Sequence, residues 1–311
     1  MLRPSRTAEY MALFRALESA RRRDARLFSD PWAKRFLRPS LRIAAAAACL
    51  PPVNSAISAF IDQRWPGARP SGIARTRYID EALTDALQDG LDQVVILGAG
   101  FDSRAYRIPG IVRARVFEVD RPATSRIKQA VLRRTLGTLP SHVTYIAVDF
   151  NRNSLAQALG AVAIDLDRPI FFLWEGVTNY LTEHAVDATL RYAATAVGRS
   201  RILFTYVDRD VLRPRGTFRG TAAVRDLLRE VGEPWTFGFA PAELPHYLDA
   251  RQLRLISDVD SLTYRARYMG RQGRHLIGYE FYRIAVAEVM DHHSTPVDGT
   301  ARWQGELHAQ G

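Results

Sequence analysis

The sequence predicts one α/β domain in which helices cover both faces of a mostly parallel sheet. Short, continuously apolar runs recur from about residue 94 onward, and helical stretches separate them. Continuous apolar runs are typical of strands buried on both faces, and strands that alternate with helices favour a doubly wound parallel sheet. A chain of 311 residues, 47% of them hydrophobic, can bury the core that such a domain needs. We therefore treat 1–311 as a single domain.

Residues 1–90 contain no strand-like run, and we predict that they form a helical cap over the sheet. Apolar residues at helical spacing predict helix over 5–38, with a new helix beginning at Pro31, because proline is favoured at the first helical position. Further helices are predicted over about 53–65 and 72–89.

Apolar runs then predict the parallel strands of a core that spans 91–208. These runs are 94–97, 116–119, 143–148, 170–174 and 202–207. Two later runs, at 254–264 and 278–289, are expected to pair antiparallel at one edge of the sheet. Residues 209–250, rich in Arg, Gly and Pro in their first part, are expected to form an inserted lid over the substrate. Residues 291–311 are expected to form a polar tail.

Composition restricts the classes of function. Cys49 is the one cysteine, so an intramolecular disulfide is excluded and a reducing, cytoplasmic location is expected. The formal charge of +10 comes almost entirely from scattered arginines, so nucleic-acid binding is not favoured. No segment reaches the roughly 20 apolar residues needed to span a bilayer, so no membrane association is expected. His292, His293 and His308 lack ligand spacing on a rigid element, and no metal site is predicted.

The stretch VVILGAGFDSR, at 94–104, predicts a buried strand that turns over a glycine loop of the kind that holds a nucleotide-like cofactor. Gly98 and Gly100 have no side chain, so the backbone can approach a ligand closely. The nicotinamide fingerprint places a third glycine, or an alanine, three residues after the second, and Ser103 stands there instead. An ordinary turn between a strand and a helix is the alternative for this loop.

Polar side chains also stand at the ends of the next three strands, on the rim where open α/β sheets bind ligands. Asp120 ends the second strand, 20 residues after Gly100, and is expected to accept both hydroxyls of a ribose. Asp149 and Phe150 end the third strand, where a carboxylate and a backbone N–H would meet an adenine ring. Glu175 ends the fourth strand. Together these strand ends predict a cofactor with an adenosine moiety, which NAD and S-adenosylmethionine share.

At these motifs the chain resembles the bacterial branch of the leucine carboxyl methyltransferase family. The segments that carry the resemblance are VVILGAGFDSRAYRI, VFEVDRPATSRIK, VDF and EGVTNYLTEHAV, with SRTAEYMALFRALES and IARTRYID before them and GEPWTFGFAPAELPHYL and RARYM after them. They occur in order and cover about residues 5–290. The resemblance implies a class I, Rossmann-like methyltransferase fold with a seven-stranded sheet and a reversed final hairpin, and S-adenosylmethionine as the cofactor.

The resemblance also implies individual roles at the cofactor site. The residues it assigns to the cofactor are Arg75, Gly98, Gly100, Asp120, Asp149, Phe150 and Glu175. Arg75, in IARTRYID, would pair with the methionine carboxylate, since a guanidinium can bind a carboxylate through two parallel hydrogen bonds. Arg77 and Arg15 are the other cations considered for that carboxylate. Phe150 stands where leucine is usual, which need not matter if its backbone is the donor.

The predicted activity is methylation of a small molecule. A carboxylate is the preferred acceptor group, and a hydroxyl is the second choice. Family members that resemble the chain point to a natural-product intermediate such as an aromatic polyketide. Methyl transfer from a sulfonium needs alignment more than an acid, and no catalytic residue is assigned. Candidate acceptor contacts are Asn179, Tyr180 and Tyr206. Lid arginines expected to attract an anionic acceptor are Arg209, Arg213, Arg215 and Arg219.

Three alternatives stay open at this point. The same fold could methylate a carboxyl group of a protein or a tRNA nucleoside. A nicotinamide-dependent oxidoreductase is a second alternative, against which Ser103 and the edge hairpin argue. A non-catalytic cofactor-binding protein is the third. No oligomeric state is predicted.

Overall fold

The computed structural model of the chain describes residues 5–290, except 151–154, 163, 214–217, 219–220 and 231. Within these residues the strands are β1 (Gln93–Leu97), β2 (Arg115–Asp120), β3 (Val143–Ala147), β4 (Ile170–Trp174), β5 (Arg201–Val207), β6 (Leu253–Asp260) and β7 (Tyr282–Val289). The α-helices of the same residues are α1 (Arg6–Ser19), α2 (Pro39–Ala47), α3 (Pro51–Arg64), α4 (Ala68–Gln88), α5 (Arg104–Arg107), α6 (Pro122–Leu136), α7 (Leu155–Gly160), α8 (Glu183–Ala193), α9 (Thr221–Glu230), α10 (Leu244–Asp249) and α11 (Ser261–His275).

The described strands form one seven-stranded sheet in the order β3-β2-β1-β4-β5-β7-β6. Strands β1 to β5 pair in parallel, whereas β7 pairs antiparallel with both β5 and β6. The prediction of an α/β fold with a mostly parallel sheet and an antiparallel edge is confirmed. The strand order reverses at β1, which has β2 on one side and β4 on the other, and open α/β sheets bind ligands outside the carboxyl ends at such a point.

The central strands β1 and β4 are buried along their whole length because helices pack on both faces of the sheet. Val95 and Phe172 belong to one buried cluster, together with apolar residues of α8 and α10. Their neighbours Val94 and Phe171 belong to a second buried cluster, together with apolar residues of α4 and α11. Alternate side chains of each strand thus fill opposite layers, and the strand ends are held rigidly at the rim.

The described residues before β1 form helices and turns and no strand. The helix predicted over 5–38 is wrong in its extent, because α1 ends at Ser19 and a loop leads to a 3₁₀ turn at Ala33–Phe36. The buried Asp30 carboxylate accepts hydrogen bonds from the backbone N–H groups of Trp32 and Ala33. Asp30 therefore organises a turn where a helix beginning at Pro31 was expected.

The two edge runs were assigned correctly as strands but extend less far than expected. Strand β6 ends at Asp260, whose side chain accepts a hydrogen bond from the Thr263 N–H and caps α11. Between β5 and β6, helix α9 contributes Val224 and Leu228 to a buried cluster with Phe281 beside β7. No described helix combines the length and apolar character needed to cross a membrane.

Candidate cofactor site

A cavity of about 420 Å³ lies at the carboxyl ends of the central strands, within the usual size range of small-molecule sites. All of the residues predicted to bind the cofactor line it, namely Arg75, Gly98, Gly100, Asp120, Asp149, Phe150 and Glu175. The described N-terminal helices add part of the wall, and the residues around the end of α9 add another part. The structure thus brings the rim of the sheet, the N-terminal helices and the segment after β5 around one space.

The glycine loop requires glycine for two different reasons. Gly98 has φ +65° and Gly100 has φ +44°, a left-handed region that side chains disfavour. A Cβ atom on Gly98 would also lie 2.3 Å from Val177 Cγ2. Gly98 thus allows the loop to pack closely against Val177, and both glycines line the cavity.

Asp120 is held in one orientation at the end of β2. Its Oδ2 accepts a hydrogen bond from the Gly100 N–H, and its Oδ1 accepts one from the Arg121 N–H at 2.6 Å. Burial raises the pKa of Asp120 above its ordinary value, although these two backbone donors act in the opposite direction. A carboxylate fixed in this way can accept the hydroxyl groups of a sugar without reorganising.

Arg75 and Glu175 both line the cavity and pair with each other. Arg75 Nε donates to Glu175 Oε1 at 2.8 Å, and the Arg75 guanidinium lies 4.6 Å from the centroid of the Tyr282 ring. The other carboxylate oxygen, Glu175 Oε2, accepts a hydrogen bond from Arg104 Nη1 at 2.7 Å. Burial by itself would raise the pKa of Glu175, but the guanidiniums of Arg104 and Arg75 hold it below the ordinary value.

Arg15 and Arg77, the other two cations considered for a cofactor carboxylate, differ in their position relative to the cavity. Arg15 lines the cavity, with Nε donating to Asp30 Oδ2 at 2.9 Å and Nη2 donating to the Phe101 carbonyl at 2.6 Å. Arg77 is not part of the described wall, and its Nε pairs with Glu81 at 2.9 Å on the same helix. The geometry therefore favours Arg75, with Arg15 as the nearby second cation.

Of the three candidate acceptor contacts, Tyr180 alone is part of the described cavity wall. Burial raises the pKa of Tyr180 to about 12, so its hydroxyl stays protonated at neutral pH. Asn179 is buried and uses its backbone carbonyl to accept a hydrogen bond from the Thr236 N–H. Tyr206 is fully buried and donates its hydroxyl to Asp258 Oδ2 at 2.7 Å, away from the cavity, so the structure does not bring it to the site.

Sequence reasoning missed two features of the site. One is Arg104, which follows the glycine loop directly but carries no pattern that distinguishes it from the other arginines. The other is a set of aromatic side chains in the cavity wall, namely Tyr10, Trp65, Trp235, Tyr279 and Tyr282. The segment GEPWTFGF was a usable signal for Trp235, since the family resemblance had already singled it out.

Residues within 224–236 of the expected lid contribute to the cavity wall, but Arg209 and Arg213 are not among the described lining residues. Arg209 pairs with Glu243 and Arg213 pairs with Asp210, and all four side chains lie at the surface, 44–69% exposed. Arg215 and Arg219 lie outside the described residues, as do the tail histidines His292, His293 and His308. The expected attraction of an anion by these arginines therefore has no support from the described geometry.

Comparison with known proteins identifies a family for the chain. Residues 8–194 match the family model for leucine carboxyl methyltransferase. A Streptomyces coelicolor protein described as a candidate S-adenosyl-L-methionine-dependent methyltransferase is 37% identical over 222 residues, which cover 70% of this chain and 75% of that protein. A Frankia alni protein with the same description is 34% identical over 218 residues, which cover 70% of this chain and 72% of that protein.

A solved structure supports the fold. The DUF574-family protein from Streptomyces avermitilis superposes with a TM-score of 0.55 at 15% sequence identity, covering 89% of this chain and 96% of that chain. The match to the family model extends over more than half of the sequence. The chain therefore belongs to the leucine carboxyl methyltransferase family of S-adenosylmethionine-dependent methyltransferases.

Proposed function

We propose that this protein is an O-methyltransferase that transfers the methyl group of S-adenosylmethionine to a carboxylate of a small molecule. The observation that carries the proposal is the composition of the cavity wall. The wall combines polar groups from four strand ends with several aromatic side chains, and no histidine is among the described lining residues. When bound, S-adenosylmethionine supplies an electrophilic methyl group on a sulfonium.

The residues at the strand ends fit that cofactor. Gly98 and Gly100 line the cavity and carry no side chain, so the backbone of the loop can approach the cofactor closely. Asp120 would accept the ribose hydroxyls, and Arg75 would pair with the methionine carboxylate. Asp149 and the backbone of Phe150 would meet the adenine, since both line the same cavity. Each assignment matches the chemistry of one part of the cofactor.

The aromatic side chains would hold the methyl acceptor and exclude water. Trp235 and Tyr282 pack with ring centroids 6.4 Å apart, and Tyr10 and Trp65 pack at 5.7 Å. Aromatic surfaces bind flat apolar groups well and carry few polar groups that need water. A cavity of about 420 Å³ walled in this way suits a small molecule better than a folded protein surface or a tRNA. A natural-product intermediate with an aromatic body is the acceptor we propose.

The state of the titratable groups in the cavity wall favours a carboxylate acceptor. Tyr180 is protonated at neutral pH, and Asp120, Asp149 and Glu175 would serve the cofactor. The other two lining carboxylates are engaged, because Asp102 pairs with Arg104 and Glu233 accepts hydrogen bonds from the first turn of α1. A carboxylate acceptor is already ionised, so the chain needs only to align it. Alignment of two reactants can lower a barrier by roughly 7–11 kcal/mol. A hydroxyl acceptor would need a general base within hydrogen-bond reach.

Binding and transfer can be tested separately. Calorimetry with S-adenosylmethionine, S-adenosylhomocysteine and NAD should show binding of the first two; binding of NAD alone would contradict the proposal.

A panel of aryl carboxylic acids, each with its matched phenol, can then be incubated with S-adenosylmethionine that carries a labelled methyl group. Methyl esters release labelled methanol in alkali and methyl ethers do not. Label that is volatile after alkali supports the carboxylate, and label that stays in the product contradicts it.

The pH dependence of the rate gives a second test once an acceptor is found. A carboxylate acceptor predicts a rate that is flat over about pH 6 to 8, provided that chemistry limits turnover. A rate that rises about tenfold per pH unit would indicate deprotonation of a hydroxyl or of its base, and would contradict the carboxylate assignment.

A further inference from the structure

We propose that Arg104 is a positioning residue for cofactor binding, which neutralises Glu175 from outside the cavity so that Arg75 keeps its donors for the cofactor carboxylate. This inference rests on the proposed use of the cavity for S-adenosylmethionine. Arg104 itself is not among the described lining residues, whereas Arg75, Asp102 and Glu175 all are. Arg104 therefore acts through its neighbours.

The contacts of Arg104 show how it divides its donors. Its side chain is 2% exposed. Nε donates to Asp80 Oδ1 at 2.8 Å, and Nη1 donates to Glu175 Oε2 at 2.7 Å. Nη1 also pairs with Asp102 Oδ2. The planar guanidinium thus joins helix α4, the glycine loop and the end of β4 at a single point.

Arg104 is the centre of a buried cluster in which charges balance. The guanidiniums and carboxylates that it connects are Arg15, Arg75, Arg104, Arg107, Asp30, Asp80, Asp102 and Glu175. Four positive and four negative groups give a net charge of zero. Removal of one partner from a buried ion pair leaves an uncompensated charge, which is strongly unfavourable. Each member therefore depends on its direct partners for its orientation, and Arg104, unlike Arg107, is a direct partner of Glu175.

The two oxygens of Glu175 accept hydrogen bonds from different arginines, which leaves the terminal nitrogens of Arg75 available for the cofactor carboxylate. Arg75 gives Nε to Glu175, while its Nη2 meets Met11 Sδ at 3.4 Å. A thioether sulfur is a weak acceptor, which an incoming carboxylate can replace. Without Arg104, Glu175 Oε2 would lose its guanidinium partner and would compete for that same edge of Arg75. The cofactor carboxylate would then have to displace a buried carboxylate instead of a thioether.

The test compares two ligands, one with and one without the amino-acid moiety whose carboxylate Arg75 would bind. S-adenosylhomocysteine carries the amino-acid moiety, and 5′-methylthioadenosine lacks it. Arg104→Gln should weaken S-adenosylhomocysteine binding, measured by calorimetry, by about tenfold or more, as expected for a charge-assisted hydrogen bond. The same variant should leave 5′-methylthioadenosine binding within about twofold. Equal losses for both ligands would show that the whole site had collapsed and would overturn the proposal.

A double-mutant cycle tests the route through Glu175. In a Glu175→Gln background, the further change Arg104→Gln should alter S-adenosylhomocysteine affinity by no more than about twofold, because the group that it neutralises is gone. The double variant also keeps the buried cluster balanced, which protects its fold. Additive losses in the cycle would overturn the proposal.

Arg107→Gln is the matched control. Arg107 is buried in the same cluster and pairs with Asp80 and Asp30, but neither partner belongs to the described cavity wall. This variant should lose thermal stability and still bind S-adenosylhomocysteine within about twofold of the unmodified protein. A loss of affinity equal to that of Arg104→Gln would show a general effect of the cluster and would refute the specific role. Failure of the unmodified protein to bind S-adenosylhomocysteine would instead refute the proposed function.

Discussion

The Glu233 carboxylate rests on the first turn of helix α1, where its Oε2 accepts a hydrogen bond from the Thr7 N–H at 3.2 Å. Its other oxygen accepts one from the Arg6 N–H, also at 3.2 Å, and the Thr7 hydroxyl donates to the same carboxylate. The free N–H groups and the dipole of a helix N-terminus favour a negative charge. Glu233 and Thr7 both line the cavity, so this contact closes one side of it.

We expect Glu233→Ala to loosen that side of the cavity. Loss of a side chain that caps a helix costs about 0.5–2 kcal/mol, which corresponds to roughly tenfold faster local opening at the middle of that range. Hydrogen exchange followed by mass spectrometry should therefore quicken in the first turn of α1 and in α9. Glu243→Ala is the control, since Glu243 is largely exposed and pairs with Arg209 at the surface. Unchanged exchange in the Glu233 variant would show that the contact contributes nothing to closure.

Alanine substitutions at Gly98 and Gly137 would distinguish the effect of backbone strain from the effect of a steric collision. Both have positive φ, but a Cβ on Gly137 would meet nothing within 4 Å, whereas one on Gly98 would lie 2.3 Å from Val177. Gly137→Ala should cost about 1–3 kcal/mol through its positive-φ backbone alone. Gly98→Ala should cost more in thermal unfolding and should also weaken S-adenosylhomocysteine binding. Equal effects of the two substitutions on stability and binding would contradict the close approach at Gly98.

Asp120 should make cofactor binding sensitive to pH. In the role proposed for it, its ionised form would accept hydrogen bonds from ribose hydroxyls, and burial raises its pKa above the ordinary value. As pH falls toward that raised pKa, the protonated fraction grows and affinity should fall. Asp120→Asn should weaken binding by about tenfold, since hydrogen bonds to charged groups are worth about 1.5–3 kcal/mol, and should remove this pH dependence. Calorimetry across the pH range measures both effects.

The exposed Asp92, which pairs with Arg168 at the surface, provides the matching control for that experiment. Asp92→Asn should leave both the affinity and its pH dependence as they are. If Asp120→Asn binds as tightly as the unmodified protein, Asp120 serves only to hold the glycine loop.

Tyr180 is expected to shape the acceptor site without acting as a base. With a pKa of about 12, its hydroxyl is protonated across neutral pH. Tyr180→Phe should therefore leave the slope of the pH–rate profile unchanged and should lower kcat by less than about tenfold. Loss of a general acid or base typically lowers the rate by about a hundredfold or more. Loss of a pH-dependent limb in the variant would identify Tyr180 as a proton-transfer group.

The glycine loop and the strand-end acids could be predicted because their signals are local. A continuous apolar run followed by Gly98 and Gly100 specifies a buried strand and its turn within a few residues. For Tyr206 the same local reasoning gave a wrong prediction. It lies near the end of β5, as the acceptor hypothesis required, but its hydroxyl is bound to Asp258 on a strand 52 residues later. Position along a strand does not reveal which layer a side chain faces.

The sequence by itself determined the succession of the strands, the glycine loop, the acids at the strand ends and the family to which the chain belongs. Each of these follows from residues that are close together or from motifs in a fixed order. Tertiary structure decided which groups share the cavity. Arg104 reaches Glu175 across 71 positions, and Glu233 reaches Thr7 across 226. Such pairs have no local signal, because burial and the packing of distant elements, not sequence neighbours, select the partner of a charged side chain.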